Sequence, residues 1–165
     1  MNTLIIYYSE SNRTEIVAQT LSAHMQASLV KIKDLKRKKG FGNKVISSIN
    51  AFRESKTKIN PSKLNLEEFD TIYIGTPTWA GKPVPAIITI IDNCDLRGKD
   101  VILFTTMDKN GGETTLQRLQ EKVTRRGGRV VECFSVRTKD KSAKHIVRDT
   151  EAKIIEKDLK MYKGL

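Results

Sequence analysis

TLIIYYSESNRT, residues 3–14, is the stretch from which the rest of the chain can be read. An apolar run, Leu4-Ile5-Ile6-Tyr7-Tyr8, stops abruptly at Ser9, Ser11, Asn12 and Thr14, and a helical pattern starts at Ile16-Val17. The run fits a buried strand of a parallel sheet, and the hydroxyl-rich turn fits the start of a helix. First-turn N–H groups have no intrahelical partner and the helix dipole favours an anion, so the turn is a place to hold a phosphate. Neither G-x-G-x-x-G nor G-x-x-x-x-G-K-[ST] is present, which sets aside the dinucleotide fingerprint and the Walker loop. Hydroxyls and one amide have to supply the donors instead. A plainer reading stands beside this one: Asn12 caps an ordinary helix, with Glu15 completing a capping box.

Downstream, apolar runs alternate with helical patterns. Strand-like runs cover residues 4–8, 29–32, 71–75, 101–105 and 129–136, and helical patterns cover 14–27, 85–91, 114–126 and 143–162. Leu116, Leu119 and Val123 make the apolar stripe of the third helix, which Gly127-Gly128 should end. Strands separated by helices need crossover connections, which predicts an α/β fold: a doubly wound three-layer sandwich around a five-stranded parallel sheet. Ligands of such sheets bind beyond the strand C-termini where the strand order reverses, and the turn after the first strand lies there. Residues 34–68 break the alternation with a long crossover. Val45, Ile49 and Phe52 predict an additional helix within it, over 45–53. No repeat or boundary interrupts the chain, and residues 1–165 read as one domain.

The totals narrow the function classes. Hydrophobic content of 38% with 30% charged residues describes a soluble globular protein. No apolar stretch approaches the roughly 20 residues that cross a bilayer. Nothing at the N-terminus resembles an export signal, so a cytoplasmic location is expected. Cys94 and Cys133 belong to no C-x-x-C pair and are expected to be buried free thiols. His24 and His145 are isolated, and no metal is expected. Thirty Lys and Arg against nineteen Asp and Glu give a net charge of +11. The excess lies between Lys31 and Lys63, where only Asp34 and Glu54 oppose it. Such a segment either steers acidic partners or forms a solvated surface. Charge is the sole argument for nucleic acid, since no recognition helix or aromatic-and-basic strand accompanies it.

Three turns should meet at the C-terminal edge of the sheet. They are Ser9 to Thr14, then Thr76-Pro77-Thr78-Trp79-Ala80-Gly81-Lys82-Pro83, then Thr106-Met107-Asp108-Lys109-Asn110-Gly111-Gly112. Trp79 is the only tryptophan, set in a loop framed by Pro and Gly. Its indole can stack on a planar ligand at the crevice or pack on the helix that follows. Gly111-Gly112 lets backbone approach a ligand closely. A phosphate turn together with a flat ring points to a ligand having one phosphate and a planar ring system.

LIIYYSESNRTEIVA, DTIYIGTPTWAGKPVPAI and ILFTTMDKNGG, in this order and at these separations, resemble the flavin-contacting segments of flavodoxins, and the similarity runs over nearly the whole chain. The resemblance implies strand order 2-1-3-4-5, FMN as cofactor, and a cytoplasmic carrier of one or two electrons between redox proteins. Ser9, Ser11, Asn12, Arg13 and Thr14 would then wrap the FMN phosphate. Thr76, Pro77, Thr78, Trp79, Ala80 and Gly81 would form the second loop, with Trp79 flanking the isoalloxazine. Thr106, Met107, Asp108, Gly111 and Gly112 would contact its pyrimidine side. No catalytic residue is implied, because the flavin does the chemistry.

The chain departs from the family pattern in four places. Asn12 stands where glycine is common, and Asn tolerates left-handed backbone. Ala80 follows Trp79 where many carriers have glycine. The third loop lacks a tyrosine that often covers one flavin face, leaving Met107. Many carriers are acidic whereas this chain is basic, which implies an acidic redox protein as partner. The alternative function is a flavodoxin-like FMN-dependent oxidoreductase that reduces a quinone or other small molecule, which the missing tyrosine would suit.

Overall fold

Alternating side chains of the first strand enter two different cores. In the computed structural model, which describes residues 2–36 and 56–163 with side chains to residue 158, β1 is Thr3–Tyr7. Leu4, Ile6 and Tyr8 join one buried cluster, and Ile5 and Tyr7 join the other. Successive side chains of a strand point to opposite faces, so this alternation divides the molecule into layers.

The elements that follow are α1 (Arg13–Met25), β2 (Ser28–Lys31), β3 (Lys33–Asp34), β4 (Ile59–Asn60), β5 (Thr71–Pro77) and α2 (Pro85–Asn93). Then come β6 (Asp100–Met107), α3 (Gly112–Arg125), β7 (Arg129–Arg137) and α4 (Ala143–Lys163). The sheet order is β2-β1-β5-β6-β7 and every pairing in it is parallel. With the β3–β4 pair set aside, this is the expected order 2-1-3-4-5. Val17, Ala18 and Leu21 of α1 with Ile146 and Ile154 of α4 cover one face, while α2 and α3 cover the other through Ile87, Ile91, Leu116, Leu119 and Val123. Each fully buried Leu or Ile stabilises the fold by about 1.5–3 kcal/mol relative to exposure, which makes these two layers the main source of stability.

Burial follows strand position. β5 and β6 are buried on both faces, whereas the outer strand β7 alternates exposed and half-buried residues. β2 is the other outer strand, and Leu29 is exposed on it. Gly75 is required by packing, because a Cβ there would lie 2.1 Å from the Phe104 ring. α3 ends as its glycines predicted. Gly127 has φ 85°, its N–H bonds the Thr124 carbonyl at 3.0 Å, and the Gly128 N–H bonds the Val123 carbonyl at 3.1 Å. Those two bonds are a Schellman closure.

Two expectations are corrected. Cys94 is buried but Cys133 is exposed, because it falls on an outward position of the edge strand. The long crossover also contains an unforeseen antiparallel pair, with Lys33 opposite Asn60 and Asp34 opposite Ile59. Two residues on each side are too few to carry a strand period. The helix expected over 45–53, and the cations from Arg37 to Arg53, lie outside the described residues.

Candidate functional site

The chain leaves the sheet at Tyr8, whose N–H bonds the Gly75 carbonyl at 3.2 Å. Four residues later Asn12 is the N-cap of α1, in left-handed backbone at φ 63°, and its side chain makes no cap bond. The capping box is therefore absent. Ser9 takes the cap role instead, its Oγ accepting the Glu15 N–H at 3.2 Å. Accepting that bond holds the turn closed and leaves the Ser9 O–H proton available to donate. Ser11 and Asn12 are exposed on the outside of the turn.

Three consecutive residues of the first helical turn reach in three directions. The Arg13 guanidinium donates to Asp108 Oδ1 at 3.0 Å and to the Thr138 hydroxyl at 3.4 Å. The Thr14 and Thr106 hydroxyls share a buried bond of 2.8 Å. Glu15 accepts from the Tyr7 phenol at 3.0 Å and from Lys31 Nζ at 2.7 Å. One turn of helix is thereby fastened to β1, β2, β6 and the segments that follow β6 and β7. Helical spacing puts neighbouring side chains about 100° apart, which is why consecutive residues can serve separate elements.

The second loop is built differently. Thr78 N–H bonds the Thr106 carbonyl at 2.8 Å, the Thr105 hydroxyl bonds the Thr76 carbonyl at 2.7 Å, and the Thr78 and Thr105 hydroxyls lie 2.8 Å apart. The Thr76 hydroxyl accepts the Val84 N–H at 3.1 Å and donates to the Pro77 carbonyl at 2.9 Å. Beyond this lattice Trp79 and Lys82 exchange backbone bonds of 2.9 and 3.0 Å. Ala80 at φ 50° and Gly81 at φ 72° form the two-residue tip. Two successive positive φ values are the mark of a type I′ turn. The Trp79 indole is half-buried and meets the Tyr8 ring edge-on, with centroids 5.9 Å apart at 87°. It also packs against the buried cluster on the Leu4, Ile6 and Tyr8 face of the sheet.

Gly111, at φ 86°, is the N-cap of α3 and brings the third loop against the second. A Cβ on it would lie 3.2 Å from Gly81 Cα. Met107 is half-buried and packs on Gly112, where a Cβ would come within 2.8 Å of its sulfur. Asp108 is exposed, and its carbonyl accepts from Arg137 Nε at 3.3 Å. The three sequence-predicted turns thus meet through Arg13 with Asp108, Thr14 with Thr106, Thr78 with Thr106, and Gly81 with Gly111. Pro77 ends β5 and is positioned by the strand itself.

Charge is arranged to leave the helix start favourable to an anion. Lys31 and the Tyr7 phenol hold the Glu15 carboxyl below its ordinary range, so the carboxylate is ionised but turned into its partners. Burial, and then the bond to Glu15, pushes the Tyr7 phenol well above its ordinary value and keeps it protonated. Asp108 balances Arg13. A phosphate monoester fits this donor set: the Arg13 and Thr14 N–H groups at the helix start, the Ser11 hydroxyl, the Asn12 amide and the Arg13 guanidinium. The Glu15 carboxylate as an anchor, and Lys31, Tyr7, Thr105 and Thr138, were not singled out from the sequence. Only Tyr7 with Lys31 had a possible signal, the parallel register that makes them neighbours.

The sequence profile of the family described as Flavodoxin matches residues 2–148. No curated protein matches the sequence significantly. Among solved structures, a candidate flavoprotein from Bacteroides uniformis is 23% identical with a TM-score of 0.75, over 89% of this chain and 96% of that one. A flavoprotein in complex with FMN from Lactobacillus acidophilus is 22% identical with a TM-score of 0.66, over 81% of this chain and 92% of that one. Oxidised flavodoxin 2 from Bacillus cereus is 18% identical with a TM-score of 0.57, over 94% and 96%.

Proposed function

The chain belongs to the flavodoxin family, whose cofactor is FMN, and from that premise we propose that it carries electrons, one or two at a time, between redox proteins. The observation that supports this most is the three-way fastening of Arg13, Thr14 and Glu15, which fixes a cluster of helix N–H groups at the edge of the sheet. Bound FMN supplies the electron chemistry. The chain supplies binding and orientation: the first turn takes the phosphate, and Trp79 and the Gly81–Gly111 contact border the ring. The side chains gathered there include hydroxyl, amide, indole and thioether groups, with Arg13 and Asp108 forming an ion pair of 3.0 Å. None is poised as a nucleophile or as a general base.

The partner in this reading is an acidic redox protein in the cytoplasm. Lys33, Lys36 and Lys58 are exposed on or beside the β3–β4 pair. The nearby carboxylate of Asp34 is occupied by the Thr57 hydroxyl at 2.9 Å and the Lys36 N–H at 3.0 Å. Such a cationic face speeds encounter with an anionic partner. Among the described residues no helix is long and apolar enough to cross a membrane. A second reading, reduction of a quinone or other small molecule, draws on Met107, which stands half-buried where an aromatic cover would shield the ring.

Titration of the flavin-free protein with FMN and with riboflavin, followed by Trp79 fluorescence, tests the cofactor site. FMN should bind at least about ten-fold tighter and quench the indole, because hydrogen bonds to a charged group are each worth about 1.5–3 kcal/mol. Equal affinities would remove the phosphate turn from the proposal. Oxidation of NAD(P)H by a quinone without any partner protein would favour the enzyme. Exchange only with an acidic redox protein, slowing as salt rises, would favour the carrier.

A further inference from the structure

Glu15 is an unexpected residue to find in a phosphate turn. It occupies the first turn of α1, where its charge competes with a bound dianion for the same helix dipole. Aimed outward, it would repel the ligand. It is instead drawn back beneath the turn by two donors on two strands, Tyr7 at the end of β1 and Lys31 at the end of β2, which are register partners in the sheet. Its own N–H closes the Ser9 cap. Tyr7 is buried at 4% exposure, and the Glu15 and Lys31 side chains are 21% and 34% exposed. The network is therefore partly shielded from solvent, and its charges act at closer to full strength than a surface pair.

We infer that Glu15 is a positioning residue for phosphate recognition, holding the first turn of α1 in its donor geometry while Lys31 cancels its charge. The inference rests on the FMN reading given above and deepens it. Arg13 and Thr14 tie the turn toward β6, and Glu15 supplies the opposing tie toward β1 and β2. Without it the only side-chain bond that holds the helix start on that side is the Ser9 cap. Lys31 has a separate task. It permits a carboxylate to do this work beside an anion site, and without it the same tie becomes a source of repulsion.

Two substitutions separate geometry from charge because they move charge in opposite directions. Glu15→Gln makes the helix start more positive, which by charge alone would tighten FMN binding. If position is what matters, the variant binds FMN more weakly, by about ten-fold as for loss of one well-aimed bond to a charged group, and riboflavin as before. Lys31→Met keeps the Tyr7 bond and uncovers the carboxylate. It should weaken FMN several-fold, leave riboflavin unchanged, and recover as salt screens the repulsion. Dissociation constants for both ligands, with the melting temperature of each flavin-free variant, give the answer. Tighter FMN binding in Glu15→Gln, or an equal loss for both ligands, overturns the positioning role. An unchanged ratio in Lys31→Met overturns the charge-cancelling role even if Glu15→Gln fails to fold. A wild-type protein that does not prefer FMN to riboflavin instead defeats the underlying phosphate-site reading.

Discussion

The first and second turns sit side by side at one edge of the sheet, yet they are held by different kinds of force. The first is fixed by side chains: Arg13, Thr14 and Glu15 fan out to distant elements and Ser9 closes the loop beneath them. The second is anchored at its base by the hydroxyls of Thr76, Thr78 and Thr105, and only its tip is fixed by backbone, through reciprocal bonds between Trp79 and Lys82 and two residues in left-handed conformation. A turn held by side chains can be loosened from far away in the sequence. A turn held by backbone responds mainly to the conformational preference of its own few residues. The first should thus be the sensitive element for affinity, and the tip of the second should respond mainly to the conformational preference of Ala80 and Gly81.

The sharpest way to break this contrast is at the contact between the second and third loops. Gly111→Ala puts a Cβ into left-handed backbone and against Gly81 Cα, at 3.2 Å. The strain and overpacking should destabilise the protein by about 2–3 kcal/mol, read as a lowered denaturant midpoint. Thr14→Ala comes next. It leaves the buried Thr106 hydroxyl without its partner, costing about 1–3 kcal/mol in the flavin-free protein, and should weaken FMN about ten-fold while sparing riboflavin. A loss confined to stability would reassign Thr14 to the fold alone.

Ala80→Gly tests the backbone turn from the opposite side. A glycine relieves the left-handed cost at φ 50°, so stability should rise by up to about 1 kcal/mol with the hairpin unchanged. A destabilised variant would mean that the Ala80 methyl packs usefully. The smallest effect concerns acid. The Glu15 carboxyl titrates below its ordinary range, so its contribution is complete above the pH where a free glutamate ionises and fades as pH falls through the lowered value. Glu15→Gln should flatten the acid side of a plot of melting temperature against pH and leave its neutral region unchanged in shape.

The layers were legible because apolar runs such as Ile72 to Ile74 and Val101 to Phe104, alternating with helical patterns, fit central strands of a parallel sheet, while the strand order came from the family resemblance. The convergence of the three turns was legible because each apolar strand stops abruptly at polar residues, which is a local signal. The capping box that Glu15 offered as the plainer alternative does not form, and the residue's actual role was not visible. Its partners depend on strand register, and Lys31 becomes the neighbour of Tyr7 only after β2 has docked on β1. Cys133 was misplaced for a related reason: edge and interior strands of similar apolar content differ only in which neighbours they acquire. The β3–β4 pair was invisible because Lys33-Asp34 and Ile59-Asn60 have no strand-like composition.

β7 has a consequence for how copies of this protein behave at high concentration. It is an outer strand of nine residues, with Val131, its third residue, exposed at 48%. An exposed edge of that length is a template for edge-to-edge aggregation. Arg129 at its start is clamped to Asp100 at 2.7 and 2.8 Å, and Arg137 at its end is held on the Asp108 carbonyl. Fixed cations therefore flank the apolar stretch, so two such edges approaching in antiparallel register would bring arginine toward arginine. The basic character of the chain thus acts as a colloidal safeguard on the side of the sheet opposite β2.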